Sequence, residues 1–98
     1  MFDGKKFVTR GVANELHPIL QQVLWNMIFS IPCTQDYLQV FDLSPGVRNG
    51  RPTQIIAHHQ EIPTYSNRYE IPFPTPVSVK VFVIDDEDYA TMLYPEER

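Results

Sequence analysis

Val77-Ser78-Val79-Lys80-Val81-Phe82-Val83-Ile84-Asp85-Asp86 is the most apolar and most β-branched run of the 98-residue chain. Alternation puts Val77, Val79, Val81 and Val83 on one side of a strand, and Ser78, Lys80, Phe82 and Ile84 on the other. A strand that is apolar on both sides toward its end belongs inside a sheet, so the rest of the chain is expected to pack around it.

Working outward toward the N-terminus, Lys6 to Val12 reads as a first strand, with Gly11 marking its bend or end. Pro18 then suits the first position of a helix, with His17 as the cap. Ile19, Leu20, Val23, Leu24, Met27 and Ile28 follow the i, i+3, i+4, i+7 rule and predict one broad apolar face over Pro18–Phe29. The outer face of that helix then carries Trp25 and Phe29, one turn apart. Either a tail or loop covers them, or they form a contact surface for another protein.

Asp36 to Leu43 predicts a second strand, in which either Tyr37, Phe41 and Leu43 or Leu38 and Val40 look away from the helix. Ser44 to Pro52 is dense in turn residues, with turn signals at Pro45-Gly46 and Asn49-Gly50, and Thr53 to Ile62 returns as a third strand, making a hairpin with a long loop. Four prolines between Pro63 and Pro76 predict a long connection outside the sheet. Beyond the organising strand, Asp86 or Asp88 is placed to cap a short helix over Tyr89–Leu93. The expectation is one α+β domain over residues 1–98. A four-stranded mixed sheet (β-α-β-β-β, order 2-3-4-1) carries one main helix on one face and a short C-terminal helix.

Composition excludes several classes. An apolar fraction of 43% with 12% aromatics is that of a globular chain. Six of the twelve acids lie in residues 85–98, so the net charge of −4 belongs to the C-terminal end. No basic stripe argues for nucleic acid, and no run is long enough for a membrane span. The opening residues lack the apolar stretch of a signal peptide, and Cys33 is the only cysteine, so a cytoplasmic protein without internal disulfides is expected.

The segments Phe7–Val12 (F-V-T-R-G-V), Leu24-Trp25, Asp36–Phe41 (D-Y-L-Q-V-F) and Val81–Leu93 (V-F-V-I-D-D-E-D-Y-A-T-M-L) resemble a family of small proteins from Gram-positive bacteria and their phages. That family is known only as a domain of unknown function. The resemblance implies a single bacterial or phage domain and brings no activity with it.

Candidate chemistry is sparse. His58 and His59 point to opposite sides of a strand, while His59 and Glu61 share one. Two ligands make no metal site by themselves, and Cys33 has no activating partner in its own sequence context. No phosphate-binding glycine loop or nucleophile elbow is present. No cofactor or metal is expected. Two readings stand. One is a non-enzymatic protein-binding or regulatory module using Trp25, Phe29, Phe82 and Ile84, with homodimerisation as one way to bury them. The other is a small enzyme using His59 and Glu61, with Cys33 as a third group.

Overall fold

The computed structural model describes residues 1–98 and is an α+β fold. The organising strand, Val79–Asp85, lies inside a sheet of six strands rather than four. In chain order the elements are β1 (Lys5–Val8), α1 (Arg10–Glu15), α2 (Pro18–Phe29), β2 (Leu38–Arg48), β3 (Arg51–Gln60), β4 (Tyr65–Pro72), β5 (Val79–Asp85), β6 (Tyr89–Leu93) and a 3₁₀ turn over Pro95–Glu97. The spatial order is β1-β6-β5-β2-β3-β4, with every pair antiparallel except β1–β6.

The two additional strands correct the expected topology, each for a local reason. The prolines of the 63–76 stretch sit at its ends and leave Thr64–Ile71 free, so β4 forms there and closes a hairpin on β3. Its terminal Pro72 is tolerated because β4 is an edge strand. Tyr89–Leu93 is a strand, not a helix. Five residues satisfy either period, and here Ala90 and Met92 alternate into the core while Asp86–Tyr89 forms the hairpin turn. That turn is closed by Asp86 N–H to the Tyr89 carbonyl, 2.8 Å, with Glu87 in the left-handed region at φ 69°. The acids therefore serve a strand turn, not a helix cap.

The order 2-3-4-1 is corrected as well. The second and third strands pair as expected, but through the two-residue turn Asn49-Gly50 rather than a long loop, with Pro45-Gly46 paired inside β2, and β4 takes the far side of β3. The chain then crosses back, so that β5 lies beside β2 in the Greek-key order 4-1-2-3. At the N-terminus β1 stops at Val8, because Thr9 caps a helix with its hydroxyl oxygen accepting from Val12 N–H at 3.3 Å. Gly11 is thus helical. A Cβ there would meet the Glu97 carboxylate at 2.7 Å.

Helix α2 runs from Pro18 to Phe29, and the His17 Nδ1 accepts from Ile19 N–H at 3.0 Å. Its phase is rotated from the expected one. Ile19 is exposed, whereas Trp25 is buried beside Leu20, Leu24, Met27 and Ile28. The rotation follows from what else joins the core. Phe2, wholly buried, and Val12 and Leu16 from α1 and its end enlarge the surface that α2 meets. Both helices pack on the sheet face formed by Phe41, Leu43, Ile56, Val81, Val83, Ala90 and Met92, making one core. No helix is long and apolar enough to cross a membrane.

Candidate functional site

Residues opposite one another in paired strands share a face, so the register fixes what looks away from the helices. Val40 pairs with Phe82, Leu38 with Ile84, Phe82 with Leu93, and Ile84 with Thr91. The open face therefore carries a strip of Leu38, Val40, Phe82, Ile84 and Leu93 across its centre. Phe82, Ile84 and Leu38 are half-buried, whereas Val40 and Leu93 are largely covered by their surroundings. At one side Phe7 and Tyr89, about half exposed, meet edge to face at 5.7 Å. Charge borders the strip. Lys80 Nζ lies 3.6 Å from Asp42 Oδ1, and the Arg98 guanidinium sits over the Phe82 ring at 5.9 Å.

Of the residues singled out for protein contact, Phe82 and Ile84 share this strip. Phe29 does not. It is exposed on the helix layer with Lys6 Nζ 5.0 Å from its ring centre. Trp25 is 7% exposed and contributes no ridge with Phe29. Leu38 was one of two possibilities from sequence. Leu93, Phe7 and Tyr89 were hidden because β6 and its parallel pairing with β1 are not written in any local pattern.

The groups proposed for chemistry do not converge. His59 faces the open side of β3 opposite Val40 and Ser66, while Glu61 lies past the strand's end in the Glu61–Thr64 turn. Cys33 is exposed, and its Sγ is 3.8 Å from Gln60 Nε2. The three surface clefts are lined by other residues. The largest, about 520 Å³, lies at the β2–β3 tip among Arg48, Arg51, Thr53 and Glu70. No cluster of three His, Cys, Asp or Glu side chains is placed to hold a metal.

The unexpected chemistry is inside. On β3 the polar residues Gln54, His58 and Gln60 face the core, as does Gln39 on β2, and all four are buried. Gln60 Nε2 donates to the carbonyls of Thr34 (2.9 Å) and Pro63 (2.8 Å), which can only accept. Its Oε1 therefore accepts from Gln39 Nε2 at 2.7 Å and from Asp36 N–H at 3.0 Å. Gln39 Oε1 is left to face His58 Nε2 at 2.6 Å, so the ring carries its proton there. His58 Nδ1 has no partner, and the ring stacks on Phe41 at 4.3 Å. Burial, with His59 adding a smaller push, lowers the His58 pKa from 6.5 to about 4. The relay joins the α2–β2 connection to the β3–β4 turn through the backbone groups of Thr34, Asp36 and Pro63. It is a clamp on two connections, not a site open to substrate. Gln54 acts alike at the other end of β3, accepting from Val77 N–H at 2.8 Å and donating to the Val77 carbonyl at 3.0 Å.

A family model described as a staphylococcal protein of unknown function (DUF960) matches residues 5–97. Among solved structures, one described as the protein of unknown function from Enterococcus faecalis is similar at a TM-score of 0.79 and 25% identity. The match covers 98% of this chain and 92% of that one. No curated protein matches the chain.

Proposed function

Taking as premise that the chain belongs to the family described as staphylococcal proteins of unknown function (DUF960), we propose that it is a small non-enzymatic module acting by protein–protein contact. The observation that carries this reading is the open sheet face. Two helices cover one side of a six-stranded sheet, whereas no helix lies on the other, where the strip of Leu38, Phe82 and Ile84 is only half-buried, with Arg98 over the Phe82 ring. A contiguous apolar strip rimmed by charge has the composition of a contact surface, with the apolar part excluding water and the rim setting orientation. Phe82, centred in the strip and flanked by Arg98, is the anchor of this surface, and the Phe7–Tyr89 pair extends it toward the β1 edge. The partner is a protein with an apolar patch of its own.

The reading is tested by affinity capture from a Gram-positive lysate with the wild-type chain and with the double variant Phe82→Ser, Ile84→Ser. Both side chains lie outside the helix-covered core, and the variant is used only where its denaturation midpoint shows that it folds. Binding proteins retained by the wild type and lost by the folded variant support the proposal. Identical capture by both overturns it.

A further inference from the structure

The sheet has two edges, and they are built differently. β1 has four residues, two of them Lys5 and Lys6, and α1 follows one residue after it. Short length and lysines are the usual protection of an edge against stray pairing. β4 is eight residues long, and its register with β3 runs from Thr53–Pro72 to Gln60–Tyr65 without a bulge.

Its free hydrogen-bonding groups can be assigned. Phe73 N–H donates to the Pro52 carbonyl, so the odd-numbered residues of this stretch turn their backbone groups toward β3. The even-numbered residues Ser66, Arg68 and Glu70 turn theirs outward, together with the Pro72 carbonyl. Arg68 N–H agrees, since it is occupied only by the neighbouring Asn67 Oδ1 at 2.8 Å.

The side chains complete the pattern. Arg68 and Glu70 flank Tyr69 and lie on one face, opposite Ala57 and Ile55. Arg68 forms no ion pair within its own chain, whereas Glu70 holds Arg48 Nη2 at 3.1 Å and Thr53 Oγ1 at 2.7 Å. We propose that β4 is a dimerisation edge, at which two copies of this chain pair antiparallel about a two-fold axis through Tyr69, with Arg68 opposite the partner's Glu70. The occupant is a second copy because the charge sequence is self-complementary. Antiparallel pairing centred on Tyr69 sets opposite charges across the axis twice.

In this register Arg68 and the partner's Glu70 exchange both backbone hydrogen bonds, and Ser66 N–H donates to the partner's Pro72 carbonyl. The missing N–H of Pro72 falls at the end of the ladder, where its loss costs least. The two Tyr69 rings, each 43% exposed in the single chain, meet on the axis in the closer, non-hydrogen-bonded pairing. Asn67 must release Arg68 N–H for this to happen. The open apolar face is not used, and each sheet continues into its partner's.

Light scattering across the micromolar range is the test. The wild type is expected to approach twice the 11.4 kDa chain mass as concentration rises. Arg68→Glu places like charges opposite each other at two positions and should raise the dimer dissociation constant about tenfold or more. Glu70→Arg should do the same by itself, while an equimolar mixture of the two variants should restore a two-chain mass, because each chain then supplies the charge the other needs. In the wild type, amide exchange at Arg68 and Glu70 should slow with concentration while Tyr69, already bonded to β3, does not respond. A one-chain mass at every concentration overturns the proposal. So does a dimer that survives Arg68→Glu, or one that is lost in Phe82→Ser.

Discussion

Mild acid should weaken this fold through His58 before the carboxylates begin to titrate. The ring is 1% exposed, and Gln39 Oε1, an acceptor only, holds its Nε2–H at 2.6 Å. A second proton would go to Nδ1, which has no acceptor and lies in a ring stacked on Phe41. The folded chain therefore refuses a proton that the unfolded chain accepts near pH 6.5, and its own pKa falls to about 4. With the folded pKa depressed, the unfolded state gains as pH drops below 6.5, so stability falls through the window from 6.5 to 4 and is flat above it. The slope is about 1.4 kcal/mol per pH unit, and the full loss is roughly 3 kcal/mol. That is a large share of the ~5–15 kcal/mol available to a small domain. Urea denaturation at intervals from pH 7.5 to 4.5 measures it, with His58→Gln as the control. The amide keeps an N–H for Gln39 and does not titrate. The wild-type midpoint should fall steadily below pH 6.5 while the variant stays level until the carboxylate range. A wild-type midpoint unchanged down to pH 5, or a variant with the same slope, would refute the argument.

Leu24, wholly buried in α2, should cost about 2–5 kcal/mol when replaced by Ala, read as a lower denaturation midpoint. Gly4→Ala should destabilise more than Gly50→Ala. A Cβ on Gly4 runs into the Asp88 carbonyl and forces β1 away from the β5–β6 turn, whereas Gly50, at φ 74°, has open space around it and costs about 1 kcal/mol in backbone strain. Thermal melts of the two variants rank them. Millimolar Ca²⁺ or Mg²⁺ should leave the melting temperature unchanged, because the acids of Asp85–Asp88 serve a hairpin turn in which Asp85 Oδ1 already accepts from Phe2 N–H. A saturable rise with either ion would overturn that assignment.

What was legible in the sequence was what local rules determine. Pro18 and the three-four spacing after it define α2, and a run apolar on both sides defines the inner strand β5. The misses share a cause, which is that the outcome depended on distant partners. Tyr89–Leu93 fits either period, and pairing with β5 and β1 decides for a strand. The Pro63–Pro76 stretch hides a strand because its prolines punctuate only the ends. Trp25 turns inward because Phe2 and α1 add core surface that the helix alone does not foretell. The least legible feature is the inner face of β3. Gln54, His58 and Gln60 alternate with apolar residues there, a pattern that ordinarily marks a solvent face. Here three polar residues share the buried side with Ile56, and Gln54 and Gln60 use their amides to bond the backbone of connecting segments. His59 and Glu61, which look paired on a strand, are separated by the strand's end at Gln60.

The central claim is that the open sheet face is covered by another protein in the cell. Hydroxyl-radical footprinting of the chain in its native cell, against the purified chain, measures this directly. Phe7, Tyr89 and Phe82 on the open face should be modified less in the cell, while Phe29, exposed on the helix layer, should be modified equally in both. Equal modification of Phe7, Tyr89 and Phe82 in the two settings would contradict the account.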